Sequence, residues 1–299
     1  TMTSETHASA PSMALRTPLP VGRKPRRDDV FECEVESLLR RGGAKAHWGE
    51  YTVELRAGVP GEILRCEVTK RRGQKIRARV VERLAESPRG VAPRCEHFAS
   101  CGGCSFQDSE YSLQLEQQHA RLTELLQNLR EQNPFDLAPI VPAPDVFHYR
   151  NKMDFTFGSR RYVLSSEPDG VDASFGLGLH APGLFSKVLD VERCAIAFDG
   201  SDGIRNTVRE LALEAGLAPW DLRAHEGLLR HLVLRRGVRT GETMVDLVTS
   251  ERAAELIDPL VATLLERHPD ITTVVQNVTQ RAATVAYGEE EHILHGPGT

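Results

Sequence analysis

The chain has six cysteines, and four of them are spaced so that they can do chemistry. Cys95, Cys101 and Cys104 lie in CEHFASCGGCSFQ, and Cys194 follows far downstream in LDVERCAIAF. Three thiols in a C-x5-C-x2-C run can wrap one corner of a metal centre. The two glycines before the third thiol let the backbone bend tightly around it. A fourth thiol from a distant segment completes four-coordination and pins two parts of the fold together. That donor set suits a 4Fe–4S cluster, and less well a structural zinc. His97 lies inside the loop, but four thiols already fill the shell. The other two cysteines, Cys33 and Cys66, fall on predicted strands, where a small buried thiol is the plain reading.

A second group of residues could hold phosphate. TKRRGQKIRARVVER carries Lys70, Arg71, Arg72, Lys75, Arg77, Arg79 and Arg83. Along the edge of a small barrel these would meet phosphates, giving affinity and salt dependence but little reading of sequence. A solvated hairpin is the plain alternative. Arg150 and Lys152 follow Tyr149, and a cation beside an aromatic suits recognition of an RNA loop. Ordinary outward-polar alternation along a strand would look the same. Arg230, Arg235 and Arg236 are further candidates of this kind. Charge is uneven along the chain. Residues 1–94 carry 19 Lys and Arg against 12 Asp and Glu, and the remainder 18 against 30, for a net of −5. The basic part resembles a nucleic-acid contact surface, or a solvated basic face.

These residues need elements to position them. Residues 1–27 are rich in Ser, Thr, Pro, Arg and Lys without periodicity, and read as a disordered basic tail. Between 28 and 86, FECEVESL, EYTVEL, EILRCEVTK and IRARVVERL alternate or are β-branched, with turns between them. Four or five short strands there predict an oligonucleotide-binding (OB)-like β-barrel. The stretch 87–108 is the cysteine loop. A helix is predicted over 109–131, capped by Asp108 or Ser109, and a second over 203–215, capped by Asp202. A third lies within 251–267, where Pro259 either kinks it or marks its start. FHYRNKMDFTFG, the 174–197 region, LLRHLVLRRG with ETMVDLVTS, and ITTVVQNV predict strands. Residues 109–283 thus read as one mixed α/β central domain. The composition, 40% hydrophobic and 26% charged, is that of an ordinary globular protein. No apolar run is long enough for a membrane span or a signal peptide, which predicts a cytoplasmic protein with clustered thiols free for metal.

Read together, the segments are similar to the bacterial RNA (uracil-5-)methyltransferases, in particular the iron–sulfur branch that acts on 23S ribosomal RNA. GGAKAHWGEYTVELRAGVPGEILRCEV resembles that family's N-terminal TRAM barrel. PRCEHFASCGGCSFQ with YSLQL resembles its cluster loop, and YRNKMDFTFG its signature strand. LDVERC supplies the fourth ligand, LLRHLVLRRGVRTGETMVDLVT the central hairpin, and VVQNVT with GEEEHILHGPG the approach to the catalytic domain. The resemblance covers about residues 28–299. It implies ribosomal RNA as partner and the four cysteines as ligands of a 4Fe–4S cluster. It also implies S-adenosylmethionine as methyl donor, bound in a Rossmann-like domain.

In that family a cysteine thiolate adds to C6 of uracil, C5 takes the methyl group, and a base removes the C5 proton. No cysteine here is left for that role, and no glycine-rich loop follows a strand and opens a helix. The sequence reading is therefore an α+β chain with the Rossmann-like transferase domain absent, inactive in methyl transfer by itself. On this reading 284–299 begins a truncated methyltransferase domain, and the 109–131 helix packs on the part that is absent. The alternative is a non-catalytic RNA-binding module with a structural four-cysteine metal. Nothing in the sequence speaks to oligomeric state.

Overall fold

Alternation in FECEVESL puts Phe31, Cys33 and Val35 on the buried side of β1 (Val30–Leu38). The same period recurs in β2 (Ala44–Trp48), β3 (Tyr51–Leu55) and the inner half of β4 (Ile63–Arg72). It fades along β5 (Lys75–Ala85), where only Ile76 and Ala78 are buried. Strands apolar on one side must bury that side. These five do so by closing into a barrel of order β1-β2-β3-β5-β4, with β3 and β5 parallel. Phe31 stacks on Trp48 inside it, ring centroids 4.3 Å apart. The Cys33 and Cys66 sulfurs lie 3.9 Å apart in the same core. Their mutual hydrogen bond, with burial, pushes the Cys66 thiol far up, so this pair is inert packing. At Gly43 a Cβ would stand 2.1 Å from the Leu55 carbonyl oxygen, so only glycine closes that turn.

The computed structural model describes residues 18–283 and 285–298. The tail predicted over 1–27 lies outside the described residues as far as position 17. From 18 onward the chain is held to the barrel: Leu19 packs on its core, and Arg23 forks onto Asp29 at 2.7 and 2.8 Å. The barrel shares a compact unit with Ser105–Val141, which contains α1 (Tyr111–Gln132). That helix begins two residues later than the sequence predicts. Glu110 is its N-cap and neither Asp108 nor Ser109 caps it. Only Leu113 of α1 is buried, whereas Leu125 is 69% exposed. Arg89 tethers its first turns through Glu110 at 2.9 Å and Glu116 at 2.7 Å.

The second unit comprises Pro93–Cys104 and the chain from Pro142 onward. Its strands are β6 (Lys152–Gly158), β7 (Gly176–Ala181), β8 (Leu184–Asp190), β9 (Leu229–Arg236), β10 (Thr243–Thr249), β11 (Thr273–Val278) and β12 (Glu290–His295). They form one sheet of order β12-β11-β10-β9-β6-β7-β8. Phe155, Leu232 and Leu247 lie side by side on one face, and α2 (Ser201–Glu214) and α3 (Ala254–Arg267) bury Val208 and Leu264 in the same core. Pro259 sits inside α3, which runs through it. β10 and β11 pair in parallel across α3.

This corrects the sequence reading of fold class. The α+β assignment had a mixed α/β central domain over 109–283 and no Rossmann-like part. The observed sheet has seven strands flanked by helices, and β10–α3–β11 is the parallel strand–helix–strand crossover from which Rossmann-like sheets are built. A glycine-rich fingerprint marks a nucleotide loop rather than this topology, so searching for the motif could not detect the crossover. Among the described residues no helix is long and apolar enough to cross a membrane.

The face of the sheet opposite the helices is polar in part. Asp246 lies there, 6% exposed, with Asn277 Nδ2 donating to its Oδ1 at 3.0 Å. Burial, only partly offset by that bond, pushes its pKa up to about 6. The folded state thus holds this proton more tightly than the unfolded chain. Its contribution to stability is present below about pH 4 and is lost as the pH rises to about 6. Asp246→Asn should remove that loss, stabilising the protein on the order of 2 kcal/mol at neutral pH relative to pH 4. Denaturant unfolding of both proteins at the two pH values measures this, and parallel pH profiles would contradict it.

Candidate metal centre and nucleic-acid interface

The cysteine loop is a run of tight turns. The Cys95 carbonyl accepts from Phe98 N–H at 3.1 Å, and the His97 carbonyl from Ser100 and Cys101 at 3.2 and 2.8 Å. Ala99 takes a left-handed conformation, φ 69°, to continue the turn. Gly102 N–H donates to the His180 carbonyl on β7 at 3.1 Å, and a Cβ at Gly102 would stand 2.7 Å from that oxygen. Gly102 thus lets the loop lie against the strand. Gly103 N–H points at Cys101 Sγ, 3.3 Å away.

Cys194 is seated separately. It follows β8 and is 7% exposed. Its backbone N–H donates to both oxygens of Asp202, each at 3.1 Å. Asp202 also accepts from Arg205 Nη1 at 2.7 Å, and the Arg205 guanidinium, fully buried, lies 5.0 Å from the Phe155 ring centroid. The sequence predicts Asp202 as the α2 cap, but Gly200 occupies that position and the carboxylate serves the cysteine segment instead. Two side-chain links join this segment to the loop. Glu192 N–H donates to His97 Nε2 at 3.4 Å, and Arg193 reaches Glu96 at 3.3 Å.

The four sequence-predicted cysteines therefore belong to one unit. Cys101 and Cys104 pack against the core cluster that contains Cys194. Burial pushes the Cys101 thiol up to about 11, opposed by the Gly103 N–H and reinforced by the thiols of Cys104, Cys194 and Cys95. The thiols of Cys104, Cys194 and Cys95 thus each act electrostatically on Cys101. Among the described residues, no three His, Cys, Asp or Glu side chains stand as a ready-made shell for a metal ion. A zinc needs all four sulfurs at about 2.3 Å from a single ion. A cubane spreads its four thiolates over four irons and tolerates a wider set.

The β4–β5 hairpin carries the predicted phosphate-binding residues. Lys70, Arg72 and Lys75 are exposed at its tip and make no ion pair among the described residues. Arg71 instead bonds the Pro25 and Gly73 carbonyls at 2.9 and 3.0 Å. Arg77, Arg79 and Arg83 face Glu54, Glu67 and Glu62. In the second unit Arg150 is exposed, and Lys152 pairs with Asp154 at 3.0 Å. Arg230 is not a surface cation: it is 2% exposed, lies 4.4 Å from the Trp220 ring centroid, and clamps the carbonyls of Thr279, Arg281 and Ala283. That burial depends on the 279–283 turn, which nothing near Arg230 in the sequence announces.

No family model matches the chain. A Chlorobaculum tepidum protein named as an RNA methyltransferase is 38% identical over 91% of this chain. Proteins with the same name from Porphyromonas gingivalis and Halalkalibacterium halodurans are each 31% identical, over 88% and 90% of it. The chain is homologous to proteins named RNA methyltransferases. It spans 56–58% of the length of these three. A Pyrococcus abyssi tRNA (uracil-54, C5)-methyltransferase, solved with S-adenosyl-L-homocysteine, shares the fold. Its TM-score is 0.59 at 22% identity, over 88% of this chain and 59% of that one. That likeness reinforces the correction of fold class. Neither similarity supports the expectation that the chain alone is inactive.

Asp202 is the residue sequence reading misassigned, and its substitution tests the geometry. Asp202→Ala should destabilise the protein by about 3–5 kcal/mol, because it leaves the buried Arg205 guanidinium without its carboxylate. Denaturant unfolding measures it, and wild-type stability would show that Asp202 does not neutralise Arg205.

Proposed function

We propose that this chain supplies RNA recognition and a 4Fe–4S site to a cytoplasmic, S-adenosylmethionine-dependent RNA (uracil-5-)methyltransferase that modifies 23S ribosomal RNA. The observation that carries it is the 38% identity to a protein named as an RNA methyltransferase. The choice of uracil C5, and of S-adenosylmethionine as donor, is supported by the fold shared with a uracil-C5 methyltransferase solved with the demethylated cofactor. The barrel is read as a TRAM domain, on the resemblance of its sequence.

Cys95, Cys101, Cys104 and Cys194 would hold the cluster. When bound, a cluster with four thiolates has no open iron, so its contribution is to tie the loop to the Cys194 segment rather than to polarise substrate. Lys70, Arg71, Arg72, Lys75 and Arg77 hold phosphates from the barrel, and Arg150 and Lys152 do so from the second unit. The preference for ribosomal RNA comes from the family resemblance. A transfer-RNA substrate is the second reading, favoured by the fold neighbour, which is a transfer-RNA enzyme. Affinities for a 23S fragment and for unmodified transfer RNA separate the two.

Two measurements test the reading. In Cys101→Ser, iron and sulfide should fall to background and the melting temperature should drop, because metal binding and folding are coupled. Iron and sulfide at wild-type levels would remove Cys101 from the ligand set. Changing Lys70, Arg71 and Arg72 together to Ala should lower RNA affinity and flatten the log–log salt slope by roughly 2, at about 0.7 per phosphate contact on single strands. An unmoved slope would show that the hairpin does not touch phosphate.

A further inference from the structure

Phe185 stands at the turn between β7 and β8, 81% exposed, beside Leu184 at 42%. Neither the fold nor the cysteine centre uses this ring. Its surroundings combine apolar side chains with unpaired cations. On one side lies an open groove of about 720 Å³, lined by Gly102, Arg150, Asp154 and His180. On the other side a small cavity is lined by Arg160, Trp220 and Arg223. Phe185 and His180 border both, so the ring is a wall between two hollows whose linings mix apolar and charged side chains.

The charges around it are biased towards free cations. Asp154 is committed to Lys152 at 3.0 Å. Asp221 is committed to Ser159 Oγ at 2.7 Å and to the backbone N–H groups of Arg223 and Ala224. No carboxylate pairs with Arg150 or Arg223 among the described residues. Trp220 Nε1 and Arg230 Nε are buried in the wall of that cavity with no hydrogen-bond partner among the described residues.

The hairpin is held on both strands at the His180–Val188 pair, next to its turn. Gly102 of the cysteine loop holds the His180 carbonyl on β7. On β8, Val188 N–H donates to Arg160 at 3.1 Å and its carbonyl accepts from Tyr162 at 2.7 Å. A rigidly based, solvent-facing aromatic between unpaired cations has the makings of a single-strand stacking site. Its flat face suits any base, and guanidinium groups on either side suit the flanking phosphates. A protein partner would instead ask for a contiguous apolar surface.

We propose that Phe185 is the platform on which an unpaired base of the RNA substrate stacks, with Arg150 and Arg223 holding the phosphates on either side. The proposal rests on the RNA reading above and adds to it the residue and the single-stranded form. The test uses the whole chain, purified anaerobically, and a single-stranded RNA oligonucleotide carrying 2-aminopurine. Binding should quench the probe. Phe185→Ala should abolish the quench and weaken binding roughly tenfold, while Phe185→Trp keeps both. Because the ring is exposed, neither change should alter the melting temperature. Wild-type affinity and quench in Phe185→Ala, with RNA still bound, would overturn the platform and leave the RNA reading intact. Failure of the wild type to bind RNA at low salt would overturn both. Equal, Phe185-dependent affinity for the matching duplex would overturn the unpaired base. Phe185-dependent self-association without an effect on RNA would assign the ring to a protein contact instead.

Discussion

The second unit turns on the meeting of the 93–104 loop with the segment around Cys194. A loop made of consecutive turns has little apolar surface of its own to bury, so its shape must be fixed by what it docks against. Here the docking consists of one backbone bond from Gly102 to β7, the His97 and Glu96 links to the 192–193 segment, and the packing of Cys101 and Cys104 on the core that contains Cys194. Thiols buried together are poor acids, as the raised Cys101 value shows.

The seat of Cys194 illustrates how a buried charge can organise a site. Arg205 is fully buried, and an unpartnered guanidinium there would be strongly destabilising. Asp202 neutralises it, and the same carboxylate takes the Cys194 N–H. Asp202 lies in the first turn of α2, where the helix dipole favours a negative charge. The position of the fourth sulfur is thereby set by the start of a helix packed in the core. Small movements of α2 would be passed directly to the cysteine.

Local pattern carried much of this to the level of single residues, and failed where tertiary partners decide. Alternation placed Phe31, Cys33 and Val35 on one face of β1 because burial on one side writes a period of two into sequence. The cysteine spacing singled out four residues that the fold gathers into one unit. Asp202 was legible as a helix-start carboxylate but not as the acceptor for Cys194. Any nearby N–H can use such an oxygen, and only the fold selects which. Arg230 reads like its exposed neighbours because a side chain buried by the remote 279–283 turn leaves no local trace. The parallel pairing of β10 with β11 was invisible for the same reason, although both strands and the helix between them were readable. The strand that follows Gly183 was legible as part of a hairpin, but not the exposure of Phe185, since an aromatic in a strand is ordinarily a core residue.

The two proposed kinds of RNA contact differ in physical character, and that difference separates them. On the β4–β5 hairpin Arg72 lies opposite Lys75, like charges that repel, and Lys70 lies opposite Arg77, whose charge Glu54 partly offsets. Phosphate binding there gains both attraction and relief of repulsion, and salt screens both. Stacking on an aromatic face buries apolar surface and depends far less on salt. As ionic strength rises, the share of affinity carried by the hairpin must shrink faster than any share carried by a stacked base. Cations alone would let the protein hold any polyanion. An aromatic platform adds the requirement that a base be free of its partner, which is the condition for chemistry at a base that a helix conceals.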